Sequence, residues 1–133
     1  ANKILEGKKI LVVEDSLDNQ LLAELYLSRS GAQVEFANNG LDGLQKIKSH
    51  DYDVVLMDIQ MPVMDGYTAT QEVRRAGIQL PIIALTGFAM KEDQQKCLEA
   101  GCNDYLAKPF DRHSLIKCIT KVLPDSSLPH LST

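Results

Sequence analysis

Three apolar runs and one short mixed run in this chain of 133 residues lead into residues able to do chemistry. Ile10-Leu11-Val12-Val13 runs into Glu14 and Asp15, and Val54-Val55-Leu56-Met57 into Asp58. Pro81 to Leu85 runs into Thr86, and Asp104 to Ala107 into Lys108. Taken singly, each has an ordinary explanation. An Asp after a strand is commonly a turn residue or helix cap. A Thr there reflects β propensity, and a Lys is commonly a solvated surface charge. The same placement after four successive runs is not explained that way. In open α/β sheets, ligands sit beyond the carboxyl ends of the strands. All these groups fall at that edge, so three carboxylates, a hydroxyl and an ammonium converge.

Carboxylates crowded to ~4 Å repel by about 4 kcal/mol per pair at an effective dielectric of 20. Either their pKa values rise or a cation joins them. All-oxygen donors favour a hard ion, Mg²⁺ before Mn²⁺ or Ca²⁺. Because Mg²⁺ sites commonly include a phosphate, the pattern points to phosphoryl chemistry. Asp58 is then the nucleophile, since a carboxylate can form an aspartyl phosphate. Lys108 and Thr86 are placed to stabilise the transferring oxygens. Other phosphate chemistries fit less well. The chain has no G-x-x-x-x-G-K-[ST] loop. The turn Glu14-Asp15-Ser16-Leu17-Asp18 carries no Gly-rich dinucleotide fingerprint. Haloacid-dehalogenase-like phosphatases place a second Asp two residues past the nucleophile, where this chain has Gln60, which cannot transfer a proton. A hydrolase elbow of the G-x-S-x-G type is absent too.

The elements needed to hold these groups follow from hydrophobic periodicity. Continuous apolar runs suit strands buried on both faces. Strands are expected over Lys8 to Val13, Ala32 to Ala37, Asp53 to Met57, Pro81 to Leu85 and Asp104 to Ala107. The first helix is capped by Ser16 and runs to about Ser30, with Leu21, Leu22 and Leu25 on one face and Gly31 as its stop. A second helix spans Gly40 to Ser49 through Leu41, Leu44 and Ile47. A third spans Asp65 to Arg75, opened by an Asp-Gly turn. A polar fourth spans Lys91 to Ala100, and a fifth spans Asp111 to Leu123 with Leu115, Ile119 and Val122 at helical spacing. Strict alternation of this kind implies an α/β fold, a parallel sheet with helices on both faces.

Composition agrees with one self-sufficient domain. Apolar residues are 44% and charged residues 24% of the chain, unlike a disordered sequence. The longest apolar stretches are strand-sized, short of the ~20 residues that a membrane helix needs. Net charge is −4, with no basic stripe among aromatics, so direct nucleic-acid binding is not expected. Cys97, Cys102 and Cys118 form no CxxC and have no histidine at ligand spacing, which reads as reduced and intracellular. The N-terminus lacks the apolar core of a signal peptide. The stretch from Pro124 is linker-like. His50, His113 and His130 have no carboxylate or cysteine partner in sequence and read as solvated.

Glu14-Asp15, Asp58 within Met57-Asp58-Ile59-Gln60-Met61-Pro62, Asp65-Gly66, Leu85-Thr86-Gly87 and Tyr105-Leu106-Ala107-Lys108-Pro109-Phe110 together resemble the receiver domain of two-component response regulators. The resemblance covers about Lys8 to Leu123. It implies a flavodoxin-like (βα)5 three-layer sandwich with a five-stranded parallel sheet in the order 2-1-3-4-5. Residues 1–7 are then an N-terminal extension, 8–123 the receiver and 124–133 a flexible tail or linker. It implies that Asp58 accepts a phosphoryl group from a phosphohistidine. Metal ligands are then Asp15, Glu14 (through water), Asp58 and the Gln60 backbone carbonyl, with Mg²⁺ as the cofactor and Mn²⁺ or Ca²⁺ as substitutes. Lys108, joined to Pro109 by a cis bond, pairs with the phosphoryl oxygens. Thr86 hydrogen-bonds the phosphoryl group, and Tyr105 moves inward with it, reshaping the face built from the fourth helix, fifth strand and fifth helix. Tyr105 has an equal reading as a partly buried packing aromatic, and Phe110 as core or as kinase-docking surface.

The implied partners are a histidine kinase or a histidine phosphotransfer domain, docking at the first helix near Leu17 and Gln20, and a phosphorylation-dependent partner downstream. A cytoplasmic location follows, with a membrane anchor open to the parent protein. Glu14 stands where Asp is also common. Gln60 and Phe88, two residues past Asp58 and Thr86, imply no fast self-dephosphorylation. By itself the domain would catalyse only its own phosphorylation and dephosphorylation. Both a stand-alone regulator and the receiver of a hybrid sensor histidine kinase fit, with a lean to the latter. The alternative is a receiver-like interaction module that works without phosphorylation. The presence of Glu14, Asp15, Asp58, Thr86 and Lys108 together disfavours it.

Overall fold

The structure, a computed structural model, describes residues 4–61, 63–87 and 91–123, with backbone alone at 91–93. Phe88, His130 and the tail 124–133 lie outside the described residues. Among the described residues, five strands and five helices alternate: β1 (Lys9–Val13), α1 (Leu17–Arg29), β2 (Gln33–Ala37), α2 (Gly40–Ser49), β3 (Val54–Asp58), α3 (Gly66–Arg75), β4 (Ile82–Thr86), α4 (Lys91–Ala100), β5 (Asp104–Ala107) and α5 (Arg112–Val122). All strand pairings are parallel, and the order is β2-β1-β3-β4-β5. The expected fold class and strand order are what the chain adopts.

Local chemistry explains where the helices start. Side chains of Ser16, Asn39, Asp65 and Asp111 each accept a backbone N–H three residues on, satisfying donors that the helix cannot satisfy itself. Asp65-Gly66 is therefore a cap and the first helical residue, rather than the turn that the dipeptide suggests.

Alternation along the inner strands divides two cores. Ile10, Val12, Val54, Leu56, Ile83 and Leu85 face α1 and α5, meeting Ala23, Leu27, Leu115 and Ile119. Leu11, Val13, Val55, Met57, Ile82 and Ala84 face the other layer, meeting Leu44, Ile47, Ala69, Val73 and Cys97. β3 and β4 are buried along their whole length. Burial of each large side chain contributes about 1.5–3 kcal/mol. Leu5, ahead of β1, joins the first core, and its N–H donates to the Ser30 carbonyl at 2.8 Å.

Two helix faces depart from the sequence expectation. On α1 the core is met by Ala23 and Leu27, with Leu22 and Tyr26 half-buried, whereas Leu17, Leu21 and Leu25 are exposed. On α2, Leu44 and Ile47 are buried but Leu41 is exposed. In both helices the narrow contact with the sheet needs a smaller stripe than the sequence offers. Asp58 and Thr86 are the last residues of β3 and β4 rather than the first residues beyond them.

Candidate functional site

The registers Val13↔Met57, Asp58↔Leu85 and Thr86↔Ala107 bring the carboxyl ends of β1, β3, β4 and β5 to one edge. Parallel-type pairing continues past the strand ends. Glu14 N–H donates to Ala37 O at 3.0 Å, Ile59 N–H to Leu85 O at 3.1 Å, and Lys108 N–H to Thr86 O at 2.7 Å. These bonds extend the sheet's pairing to the strand-end residues.

Three carboxylates meet there. Ligand oxygens of Glu14, Asp15 and Asp58 all lie within 4.8 Å of one another. Glu14 and Asp58 are buried, at 1% and 2% exposure, and Asp15 is exposed. The Lys108 ammonium bridges the two buried acids, 3.0 Å from Asp58 Oδ2 and 3.2 Å from Glu14 Oε1. The other Asp58 oxygen accepts the Gln60 N–H at 3.0 Å, and Glu14 Oε2 accepts the Ser16 N–H at 3.0 Å. Gln20 donates to the Glu14 carbonyl and to Asn38 Oδ1, tying α1 to the edge.

The electrostatics show unneutralised negative charge. Burial pushes the Glu14 carboxyl up to about 7, aided by Asp58 and opposed by the Ser16 N–H and by Lys108. Burial also pulls against the Lys108 ammonium, but its hydrogen bond and charge interaction with Asp58, and then Glu14, hold its pKa above the usual value. Two buried acids sharing one ammonium leave the site short of positive charge. Three carboxylates offer an all-oxygen donor set with the exposed one at the mouth, which fits a hard divalent cation.

Thr86 is fully buried at the end of β4, and Tyr105, half-buried in β5, packs against the α2–α4 core opposite Ala84. The Lys108–Pro109 peptide is cis, as expected. Phe110 is buried in the α1–α5 core, with its ring edge-on to Tyr26. His50 and His113 are exposed, as expected.

The steric need for glycine at two positions beside the site was not read from the sequence, although Asp65-Gly66 was part of the motif. A Cβ on Gly66 would lie 2.3 Å from the Asp58 carbonyl oxygen, and one on Gly40 would lie 2.2 Å from the Met64 carbonyl oxygen. The β3–α3 loop therefore lies directly against the starts of two helices, whose first residues must be glycine. A glycine at the first position of each of two helices is the signal that could have found them. In the same loop Val63 adopts φ 71, a left-handed conformation that is uncommon for a β-branched residue.

Comparison with known proteins gives a consistent result. The family model described as response regulator receiver domain matches residues 10–120. The chain is 43% identical over 121 residues to hybrid signal transduction histidine kinase G of Dictyostelium discoideum, covering 87% of the chain and 4% of that protein. It is 40% identical over 120 residues to transcription factor SKN7 of Saccharomyces cerevisiae, covering 90% of the chain and 19% of that protein. The chain thus spans a small part of these relatives. Among solved structures, the receiver domain of the Pseudomonas aeruginosa sensor histidine kinase PA1611 superposes with a TM-score of 0.81 at 42% identity, covering 87% of this chain and 97% of that one. That crystal structure holds a magnesium ion coordinated in its active-site cleft. A chain of the Saccharomyces cerevisiae co-crystal of the histidine phosphotransfer protein Ypd1 with the receiver domain of Ssk1 gives a TM-score of 0.85 at 30% identity, covering 93% of this chain and 94% of that one.

Proposed function

This chain belongs to the response regulator receiver domain family, and from that premise we propose that it accepts a phosphoryl group onto Asp58 in a Mg²⁺-dependent step of a phosphorelay. The observation that carries this reading is the Lys108 ammonium held between Asp58 and Glu14, beside Asp15, at the carboxyl edge of the sheet.

Glu14, Asp15, Asp58 and the Gln60 carbonyl would hold the cation, with Mn²⁺ or Ca²⁺ as substitutes. When bound, Mg²⁺ supplies positive charge to the transferring phosphoryl oxygens. The chain's own residues do the rest. An Asp58 carboxylate oxygen forms the new bond to phosphorus as the phosphorus–nitrogen bond of a phosphohistidine breaks, and the electron pair leaves on the imidazole. Lys108, already bonded to Asp58, moves its ammonium to the phosphoryl oxygens. Thr86 donates its hydroxyl to the same group, and Tyr105 follows inward, which changes the surface formed by α4, β5 and α5. The tight β3–α3 loop, backed by Gly66, keeps the Asp58 carboxylate aimed out of the sheet.

The donor is a histidine kinase or a histidine phosphotransfer domain, and the exposed Leu17, Leu21 and Leu25 of α1 beside the site offer it an apolar surface. The likeness to the Ypd1–Ssk1 receiver and to hybrid kinases supports this. The receiver unit is 8–123, flanked by segments 1–7 and 124–133. No described helix is long and apolar enough to cross a membrane, and the free thiols support a cytoplasmic location, whatever anchors the parent protein.

Intact mass after incubation with acetyl phosphate and Mg²⁺ tests the proposal. One added phosphoryl group is expected, lost in Asp58→Asn and in EDTA. No adduct, together with no beryllofluoride complex by NMR in a folded chain, would leave an interaction module instead.

A further inference from the structure

Helix α4 ends in a motif that places two thiols side by side. Gly101 takes φ +111. Its N–H donates to the Leu98 carbonyl at 3.0 Å, and the Cys102 N–H donates to the Cys97 carbonyl at 2.9 Å. These nested bonds define a Schellman terminus, in which the side chains at the two ends of the outer bond meet. Here both are cysteines. Cys97 and Cys102 are both buried in the same core cluster, and the Cys102 thiol lies 3.8 Å from the buried Thr70 hydroxyl. Arg74 fixes the turn from outside, donating to the Gly101 carbonyl at 2.9 Å and to Asn103 Oδ1 at 2.8 Å. Cys118 is separated from the pair by the sheet, in the α1–α5 core.

We propose that Cys97 and Cys102 are a modification site for hydroperoxides, oxidised together to an intramolecular disulfide that staples the last turn of α4 to the start of β5. The outer backbone bond already holds the two residues at the separation of contacting side chains. A disulfide requires Cα atoms within about 7 Å and an S–S bond of about 2.05 Å, so closing it needs the sulfurs to approach rather than the backbone to refold. The chemistry balances. One thiolate attacks the hydroperoxide, giving a sulfenic acid and an alcohol, or water when the oxidant is hydrogen peroxide. The second thiol attacks that sulfur, the sulfur–oxygen bond breaks, and water leaves. Two thiols are oxidised and one peroxide bond is reduced.

The neighbouring Cys97, and then burial, keep the Cys102 thiol well above its ordinary pKa. Thiolate is the reactive form. Bridging is therefore slow near neutrality and accelerates with pH, and it depends on brief openings of the turn. The proposal is independent of the phosphoacceptor reading, since neither thiol touches Asp58, Glu14 or Lys108 in the bonds that hold that site.

The test treats the native chain with hydrogen peroxide at pH 8, quenches it, and alkylates it in denaturant with N-ethylmaleimide. Intact mass and peptide mapping then read the result. The untreated chain should take three labels, one per cysteine. After oxidation we expect one label, on Cys118, and a mass about 2 Da below the singly labelled reduced chain, reversed by dithiothreitol. Cys118→Ser should still form the bridge. Cys97→Ser and Cys102→Ser, each checked for folding by circular dichroism, should not. Mapping on the unmutated chain keeps the test valid if either variant unfolds. Three labels after prolonged oxidation, a bridge that includes Cys118, a bridge formed only in denaturant, or sulfinic acid at either position would each overturn the proposal.

Discussion

Replacing Glu14 with Gln should stabilise the metal-free chain at high pH and leave it nearly unchanged at low pH. Glu14 is 1% exposed, and its carboxyl is pushed up from an ordinary 4.5 to about 7, mainly by burial. The folded chain therefore keeps a proton on Glu14 between these values, while the unfolded chain has released it. Stability from this group is fully present below pH 4.5 and is lost as pH rises through about 7. A rise of that size corresponds to about 3 kcal/mol. Gln keeps the acceptor for the Ser16 N–H and carries no charge at any pH. The stability difference, variant minus wild type, should grow from about 1 kcal/mol at pH 5 to about 3 kcal/mol at pH 8. Urea unfolding in EDTA at pH 5, 6, 7 and 8 measures it. With a slope of about 1–3 kcal/mol per molar urea, the midpoint should shift by at least about 1 M at pH 8. Magnesium should narrow this difference at pH 8. The wild type gains about 2.7 kcal/mol at a hundredfold excess over Kd, and Glu14→Gln gains less. Parallel pH profiles for the two proteins would refute the reasoning, because they would mean that Glu14 ionises in the folded chain as it does in the unfolded one.

Lys108→Met should destabilise the metal-free chain at pH 8 by about 3 kcal/mol, since it leaves two buried carboxylates without their cation. Chemical denaturation with and without Mg²⁺ checks this, and the metal should restore part of the loss. Gly66→Ala drives a Cβ to 2.3 Å from the Asp58 carbonyl oxygen, so we expect at least about 2 kcal/mol of destabilisation and slower acetyl phosphate labelling than in Gly40→Ala, whose clash falls at the Met64 carbonyl, away from Asp58. Arg74→Ala strands the Gly101, Ile78 and Leu80 carbonyls that the guanidinium satisfies. It should cost about 2–4 kcal/mol in thermal or urea unfolding, with no effect on the Mg²⁺ dependence of labelling. Val63→Gly relieves a left-handed conformation at an exposed position and should change stability by no more than about 1 kcal/mol, in the stabilising direction.

Much of the architecture was legible because it is local. The buried runs at Ile10 to Val13 and Val54 to Met57 announce strands, and Ser16 starts the first helix through a bond three residues long. Strict alternation then requires the parallel sheet, and a parallel sheet puts every strand's carboxyl end at one edge. Asp15, Asp58, Thr86 and Lys108 could therefore be brought together from spacing alone. The exposed face of α1 was not legible in that way. Its leucines at 17, 21 and 25 have helical spacing, yet the sheet is met by Ala23 and Leu27. Periodicity defines a stripe relative to the helix itself, and only docking decides which stripe is covered. The steric role of Gly40 and Gly66 was hidden for a related reason, since the atoms they make room for belong to a loop reached through the fold.

The sequence by itself determined which side chains stand at the carboxyl edge of the sheet, because strand periodicity and parallel topology are encoded residue by residue. Only the tertiary structure decided how those side chains pair. One ammonium faces two buried carboxylates 94 and 50 residues away, and a backbone bond across a helix end draws Cys102 back to Cys97. Those distances depend on strand register, on the dry surroundings that raise the energy of each charge, and on turns closed by backbone bonds. They are properties of through-space packing that no local pattern carries.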